Sequence, residues 1–377
     1  MPPTPNHGFG RAIVHATTLT AVCLLASCAS TPAATTNTNC GLCGVTPPAL
    51  QHILFVGDSF THGRYTPVRL YNNGGTQNAT TGSNLVVDEN YGATGARAET
   101  LETGPFGGIP GIFAQFVVEA SLNYDVHIEA ISETSLQNNY AAASSVIDQS
   151  KWNAVVLQEI STRPLTVALT GDSTSDPANF CASVATIEAG VHAAAPTANI
   201  YLYETWPRAD LAQTLAGSTS SPSFAATYAT ELTTLGDFYH NVYYSAATHD
   251  GHIAAVAPAG EAWMAAWAAN VANNNPYTVT SSLPSLWYGL NAANNPTITA
   301  PDYLHPSIYG AYTSALVLFQ QITAKDPRTL GATESAAASL GISSTIATQL
   351  QQIAWQTVSN ESSTPINQTV DPCTLTH

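Results

Sequence analysis

The sequence predicts an α/β protein in which a central parallel sheet of about five strands lies between two layers of helices. Short apolar runs rich in Val and Ile recur along the chain, which is typical of strands buried on both faces of a parallel sheet. Segments with helical periodicity separate these runs, and the alternation predicts right-handed crossovers in a doubly wound sheet. The turn Gly57-Asp58-Ser59-Phe60 directly follows the first run, at the carboxyl end of a strand, where α/β folds place their chemistry.

The predicted elements follow one another in a regular order. The strands are the short apolar runs His52–Val56, Val126–Ile131, Ala154–Gln158, Asn199–Tyr203 and Ile253–Val256. The helices are Ile112–Leu122, Ala141–Gln149, Ala182–Ala194, Ser223–Tyr239, Gly260–Ala272 and Ile308 to about Lys325, with two shorter helical stretches that reach Val358. Three loops rich in Asn, Gly, Thr and Pro are long enough to shape a substrate cleft; they are Asn72–Pro110, Thr166–Asn179 and Asn273–Ala300.

Residues 1–27 resemble an export signal. Arg11 is the only formally charged side chain in this segment, and the apolar stretch after it is too short to span a bilayer comfortably. The stretch ends in Leu25-Ala26-Ser27-Cys28, which resembles a bacterial lipobox and predicts a lipid-modified Cys28. Ordinary cleavage near Ala29 with free secretion is the alternative. We therefore expect an exported protein whose membrane contact, if any, is an N-terminal anchor in the bacterial cell envelope.

The rest of the chain divides into three parts. Residues 28–48 are small, polar and contain Pro, which suits a flexible tether; residues 49–360 contain the α/β domain, and residues 361–377 form a C-terminal tail. The chain has 9 Lys and Arg against 25 Asp and Glu, a net charge of −16. Such a surface disfavours nucleic acid and anionic lipid as partners, and it favours a small ester or a neutral polymer as substrate.

Four cysteines remain for the folded protein once Cys28 is assigned to the anchor and Cys23 to the signal. An even number in an oxidising compartment predicts disulfides, although four cysteines allow three pairings and sequence does not choose among them. We expect structural bonds that hold the N-terminal arm and the C-terminal tail, with a zinc site as the weaker alternative. The four residues are Cys40, Cys43, Cys181 and Cys373.

A catalytic constellation is predicted by two distant segments. Asp302 and His305 lie three residues apart, between Pro301 and Ser307. A serine hydroxyl is a poor nucleophile until a neighbouring base takes its proton. His305 is the candidate base, and Asp302 is placed to fix its tautomer and to stabilise the imidazolium. Combined with Ser59, this spacing predicts a serine esterase.

The same residues resemble the SGNH/GDSL hydrolases, a superfamily of esterases, lipases and carbohydrate acetylesterases on a flavodoxin-like three-layer sheet. The first family block matches Val56-Gly57-Asp58-Ser59-Phe60, and the last matches Asp302-Tyr303-Leu304-His305-Pro306-Ser307. The resemblance covers roughly residues 50–325. It implies that Ser59 is the nucleophile, Asp302 the orienting carboxylate and His305 the base, with no metal or cofactor. The G-x-S-x-G elbow of the α/β-hydrolases is absent from the sequence around Ser59.

The two middle blocks depart from the family pattern. The family usually has a Gly after the second strand and an Asn after the third, and both donate to the oxyanion. Here the second strand continues into Ile131-Ser132-Glu133, so Glu133 or Ser132 must donate through its backbone N–H, and a Glu133 carboxylate must point away from the developing negative charge. Gln158 stands in for the Asn in a Leu-Gln-Glu pattern that resembles a subset of the superfamily. The expected oxyanion hole therefore comprises Ser59, Glu133 and Gln158.

Three further residues are candidates for the substrate cleft. His62 follows the nucleophile by three positions and is expected to line the cleft or face solvent. Glu204, at the end of the fourth predicted strand, is expected to brace the cleft. Trp206 is a candidate stacking platform for a sugar, with core packing as the alternative.

The sequence thus predicts an exported ester hydrolase that works through an acyl-enzyme. The expected substrate is a short acyl group, such as acetyl, on an extracellular carbohydrate, by analogy with the family. One alternative is an acyltransferase that uses the same triad, and another is a non-catalytic carbohydrate-binding envelope protein.

Overall fold

The computed structural model describes residues 48–73, 85–277, 281–289 and 302–375. The predicted export signal, Cys28, Cys40, Cys43 and the tether up to residue 47 lie outside these ranges. Within them, no helix has the length and apolar character needed to cross a membrane.

Six parallel strands form one sheet in the described ranges, which confirms the predicted fold class. Their order is β2-β3-β1-β4-β5-β6. They are β1 (Gln51–Gly57), β2 (Val86–Asp88), β3 (Tyr124–Ala130), β4 (Ala154–Leu157), β5 (Asn199–Glu204) and β6 (Ala255–Pro258). Strand β1 is central because it pairs with both β3 and β4, and its residues Ile53–Val56 are buried on both faces. The order of the strands reverses at β1, so its carboxyl end is the switch point where such sheets bind ligands.

Helices cover both faces of the sheet. They are α1 (Ser59–His62), α2 (Gly108–Glu119), α3 (Leu136–Ile147), α4 (Val167–Thr170), α5 (Pro177–Ala194), α6 (Ala209–Ala216), α7 (Phe224–Asp250), α8 (Ala259–Ala268), α9 (Ile308–Thr323), α10 (Ser335–Leu340) and α11 (Ser344–Ser359). Helices α2, α9 and α11 pack in one group, and α3, α5 and α7 pack in another.

Several features differ from the sequence prediction, among them strand β2, the end of helix α7, and helices α4 and α6, which the sequence did not predict. Strand β2 lies inside the predicted Asn72–Pro110 loop, because a strand of three residues is too short to leave a periodic signal. Helix α7 continues beyond the predicted end at Tyr239, since Val242, Tyr243 and other residues of its later turns stay buried. It stops at Gly251, whose φ of 78° closes the last turn.

A disulfide joins Cys181 on α5 to Cys373 in the C-terminal tail, with the two Cα atoms 5.6 Å apart. The bond holds the tail against the body of the protein, as expected for Cys373, and it selects a pairing that the sequence left open. Because the bridged residues are 192 positions apart, the crosslink restricts the unfolded chain over a long loop.

Candidate active site

The nucleophile turn is built by the residues around Ser59. Asp58 caps α1 by accepting the Phe60 backbone N–H at 2.8 Å, so Ser59 is the first residue of that helix. Gly57 is required here because a Cβ would lie 2.2 Å from Thr61 Oγ1 and 2.4 Å from Gln158 Oε1. Burial raises the pKa of Asp58 to about 7, although the Phe60 N–H opposes this shift.

The structure brings Ser59, His305 and Asp302 into one hydrogen-bonded chain. His305 Nε2 lies 2.8 Å from Ser59 Oγ, and His305 Nδ1 lies 2.7 Å from Asp302 Oδ2. The other carboxylate oxygen, Asp302 Oδ1, accepts the backbone N–H groups of Leu304 and His305, each at 3.1 Å. This is the arrangement in which an imidazole can take the hydroxyl proton while the carboxylate fixes its tautomer.

The electrostatics of Asp302 suit the orienting role. Burial alone raises the pKa of its carboxyl, but the hydrogen bond and charge of His305, together with the other donors, outweigh burial and leave this pKa below the usual value. Asp302 is therefore ionised in the range where an imidazole acts as a base, and its charge is available to stabilise the imidazolium.

Trp206 connects the nucleophile turn with the loop that carries Asp302 and His305, which is called the base loop below. Its indole Nε1 donates to the Leu304 carbonyl at 2.9 Å, and its ring stacks on Phe60 with 4.7 Å between the ring centroids. Trp206 has no exposed surface, so the predicted sugar platform is wrong and the alternative of core packing is correct. A Trp side chain fits here because it combines a large apolar body with a single donor at its edge.

The other two residues predicted for the cleft are also buried. The imidazole of His62 stacks on Phe106 at 4.1 Å, and its Nε2 lies 2.8 Å from Ser132 Oγ. Burial lowers the pKa of His62 well below its usual value, so the ring is neutral. Glu204 is 1% exposed, and burial raises its carboxyl pKa well above the usual value, with a further contribution from Glu261. Both side chains point into the protein interior, and neither lines a substrate cleft.

Glu133 is one of the two residues that the sequence analysis expects in place of a Gly, and its backbone adopts a conformation that glycine favours. Its φ is 57°, in the left-handed region that glycine adopts most readily. The carboxylate is 67% exposed and faces Arg64 at 4.0 Å, so it points to solvent. The Ile131 N–H donates to the Gly57 carbonyl at 3.1 Å, which places this turn beside the nucleophile turn. Among the residues that the structure describes, none accepts from the backbone N–H of Ser59 or Glu133, and both donors remain available.

Gln158 does not serve the oxyanion role predicted for it. Its Oε1 accepts the Asp58 N–H at 3.0 Å and the Thr61 hydroxyl at 2.7 Å, while its Nε2 donates to the Glu159 carbonyl. The side chain is 1% exposed. The extra methylene compared with Asn lets the amide reach beneath the nucleophile turn, so Gln158 braces that turn instead of facing a substrate.

Glu159, the residue after Gln158 at the end of β4, completes this brace. Its Oε1 accepts the N–H groups of Leu136 and Ile160, both at 2.9 Å. Leu136 is the first residue of α3, directly after the Glu133 turn. The Leu-Gln-Glu pattern therefore joins the end of β4 to the nucleophile turn through Gln158 and to the turn after β3 through Glu159.

Clusters of metal-type ligands also occur in the described ranges. In one of them, Asp125 Oδ2 lies 2.8 Å from His52 Nδ1 and 2.9 Å from His127 Nε2. Glu89 accepts from His127 Nδ1 at 2.7 Å. These contacts form an ion-pair network near the start of β1, at the opposite end of the strand from Ser59. A second cluster, His62, Glu99 and Glu102, surrounds Ser132, where hydrogen bonds to Ser132 account for its geometry.

The chain was compared with family models, curated proteins and solved structures. No family model matches this chain, and none of the curated proteins matches it. The chain is similar to the solved structure of a protein described as a GDSL-like lipase from Parabacteroides merdae, with 14% identity and a TM-score of 0.41 over 74% of this chain and 99% of that chain.

Two further solved structures are similar to this chain. One is phospholipase A1 from Streptomyces albidoflavus, with 15% identity and a TM-score of 0.40 over 74% of this chain and 100% of that chain. The other is a catalytic mutant of an acetylxylan esterase from Geobacillus stearothermophilus, with 14% identity and a TM-score of 0.39 over 73% of this chain and 93% of that chain. The function is argued from the geometry of the site itself.

Proposed function

We propose that this protein is a serine ester hydrolase of the SGNH type. The observation that carries the proposal is the chain from Ser59 Oγ through His305 to Asp302, with donor–acceptor distances of 2.8 and 2.7 Å. A buried hydroxyl, imidazole and carboxylate in this order have a shared purpose in catalysis, whereas a binding protein has no use for all three together.

The chemistry follows from the positions of these atoms. Ser59 Oγ attacks the ester carbonyl carbon while His305 Nε2 takes the hydroxyl proton, and Asp302 stabilises the imidazolium. The carbonyl electron pair moves onto oxygen, where the backbone N–H groups of Ser59 and Glu133 stabilise the charge. His305 then gives its proton to the departing alcohol. Water, deprotonated by His305, attacks the acyl-enzyme, releases the acid and restores Ser59.

We propose a carbohydrate as the alcohol part of the substrate. A cavity of about 300 Å³ is lined by Asn90, Tyr91 and Glu102, among other residues. It lies next to Ser132, because the Ser132 hydroxyl donates to the Glu102 carboxylate. The Asn90 Oδ1 is buried without a hydrogen-bond partner, and Tyr91 is 49% exposed. Acceptor atoms beside an exposed aromatic ring suit a ligand with many hydroxyl groups. The net charge of −16 disfavours an acidic polymer.

The test is a substrate screen with purified enzyme. We expect hydrolysis of nitrophenyl acetate that decreases with longer acyl chains, release of acetate from acetylated polysaccharides, and loss of both in Ser59→Ala. Ser145→Ala, an exposed serine on α3, is the matched control and should keep full activity. Activity that persists in Ser59→Ala would refute the assigned nucleophile. Acylated sugar formed when a sugar acceptor is added would favour the transferase, and sugar binding without turnover would favour the lectin-like alternative.

We further propose that the protein is exported and anchored through Cys28. The support is the sequence of residues 1–27, with Arg11 before an apolar stretch and a lipobox-like end. Mass spectrometry of the mature N-terminus tests this proposal directly. A diacylated Cys28 is the expected result. An unmodified residue at that position would refute the anchor, and a mature chain that begins near Ala29 would indicate free secretion.

A further inference from the structure

A fourth side chain joins the triad. The hydroxyl of Tyr65 donates to Asp302 Oδ2 at 2.8 Å. The same oxygen accepts from His305 Nδ1 at 2.7 Å. Tyr65 lies just beyond α1, six residues after Ser59. A single short segment therefore carries both the nucleophile and a hydrogen-bond donor to Asp302, the last member of the triad.

The ring of Tyr65 is held in place by its neighbours. It stacks on Tyr288 with 3.7 Å between the centroids and an interplanar angle of 13°. It also meets His305 edge to face at 5.9 Å. The backbone of Tyr288 is itself part of the base loop, because its N–H donates to the His305 carbonyl at 2.8 Å and its carbonyl accepts the Asp302 N–H at 3.1 Å. The Tyr65 hydroxyl is therefore fixed relative to the carboxylate that it contacts.

The hydroxyl acts as a donor at every pH at which the enzyme would work. Burial and the hydrogen bond to Asp302 both raise the pKa of Tyr65 well above its usual value of 10. A neutral tyrosine can donate to an ionised carboxylate, and such charge-assisted bonds are about twice as strong as neutral ones. With Tyr65, Asp302 has four donors, two on each oxygen.

We propose that Tyr65 is a positioning residue of the active site, whose hydroxyl holds Asp302 Oδ2 in the orientation that receives the His305 Nδ1–H. The inference rests on the proposed esterase function and adds a residue to its machinery. Without the hydroxyl, the carboxylate keeps its two backbone donors on Oδ1 but loses the second donor on Oδ2. It can then rotate, and His305 loses part of its fixed orientation towards Ser59.

The experiment compares Tyr65→Phe with the wild-type enzyme. The substitution keeps the ring stack and removes one oxygen, so we expect kcat to fall about 10- to 150-fold, the range for one lost charge-assisted hydrogen bond, with KM changed by less than about twofold. The acid limb of the kcat/KM profile should move to higher pH, because a carboxylate with one donor fewer binds the imidazolium more strongly. Fluorotyrosine at position 65 is a stronger donor without added bulk, and it should move the same limb to lower pH.

Tyr140→Phe is the matched control. Its hydroxyl donates to Asp148 Oδ2 at 2.8 Å, between the middle and the end of α3, so the variant loses the same kind of bond away from the triad. We expect its kcat and pH profile to equal those of the wild type. An unchanged kcat and profile in Tyr65→Phe would overturn the inference, and so would a rise in KM alone, which would make Tyr65 a substrate contact.

A spectroscopic measurement separates this inference from the proposed function. The proton shared by His305 and Asp302 should give a far-downfield proton NMR signal that disappears in Asp302→Ala. In Tyr65→Phe this signal should shift, whether or not a good substrate has been found. A wild-type protein without Ser59-dependent turnover would contradict the esterase, while an unmoved signal would contradict the role of Tyr65.

Discussion

Replacing Glu159 by Gln should make the protein more stable at alkaline pH. Glu159 is fully buried, its Oε1 accepts two backbone N–H groups, and its Oε2 has no hydrogen-bond partner. Burial raises its pKa from 4.5 to about 8, despite the opposing donors Leu136 and Ile160. The folded state therefore binds the proton more tightly than the unfolded state. The resulting stabilisation is complete below pH 4.5 and is lost as the pH rises to about 8.

The size of the effect follows from this shift. At about 1.4 kcal/mol for each unit, the difference between 4.5 and about 8 corresponds to roughly 5 kcal/mol as an upper bound. Glu159→Gln keeps an acceptor for both N–H groups and cannot ionise. We expect it to match the wild type within about 1 kcal/mol at pH 4.5 and to be more stable by several kcal/mol at pH 8.5.

Urea unfolding at the two pH values measures both quantities. Asp58 and Glu204 also have raised pKa values, so the wild type and the variant share a residual pH dependence. Comparison of the two proteins isolates the part due to Glu159. Glu99→Gln provides a control on a less deeply buried carboxylate. Equal free energies of unfolding for the wild type and Glu159→Gln at pH 8.5 would refute the reasoning.

Two further predictions concern the site. Trp206→Phe leaves the part-buried Leu304 carbonyl without its indole donor, so we expect a loss of about 1 kcal/mol in unfolding free energy together with a lower kcat. Trp152→Phe is the control, because it loses a comparable hydrogen bond to the Val146 carbonyl, at 2.9 Å. It should lose stability and keep its kcat. Equal activity of the two variants in an ester assay would contradict the role of Trp206. Tyr91→Ala should raise KM for acetylated oligosaccharides several-fold, by loss of a stacking surface, and leave KM for nitrophenyl acetate unchanged. A parallel change for both substrates would rule out a sugar contact.

The fold could be predicted because its signal is local. Residues Ile53–Val56 form a short apolar run that is typical of a strand covered on both faces, and they are buried in β1. Strand β2 was missed because its three residues carry no periodicity. The contact between Ser59 and His305, which are 246 positions apart, could be predicted from two motifs. One supplies a serine nucleophile, and the other supplies the base and carboxylate that such a nucleophile needs.

Side-chain directions could not be predicted in the same way. Some residues come shortly after the carboxyl end of a strand, and this location predicted that they line a cleft. They are His62, Gln158 and Trp206. Their orientation depends on partners far away in the sequence, such as the Leu304 carbonyl for Trp206 and the Asp58 N–H for Gln158. Tyr65 was missed for the same reason, because no motif connects it with Asp302 and only the folded chain brings them together.

The most direct test of the central claim is covalent labelling of the nucleophile. A fluorophosphonate should modify one residue of the intact protein, and peptide mass spectrometry should locate the adduct on Ser59. Ser59→Ala should remain unlabelled, and His305→Ala should react at least about a hundredfold more slowly, because the hydroxyl has lost its base. An adduct on another serine, or equal labelling rates for the wild type and His305→Ala, would contradict the proposed triad.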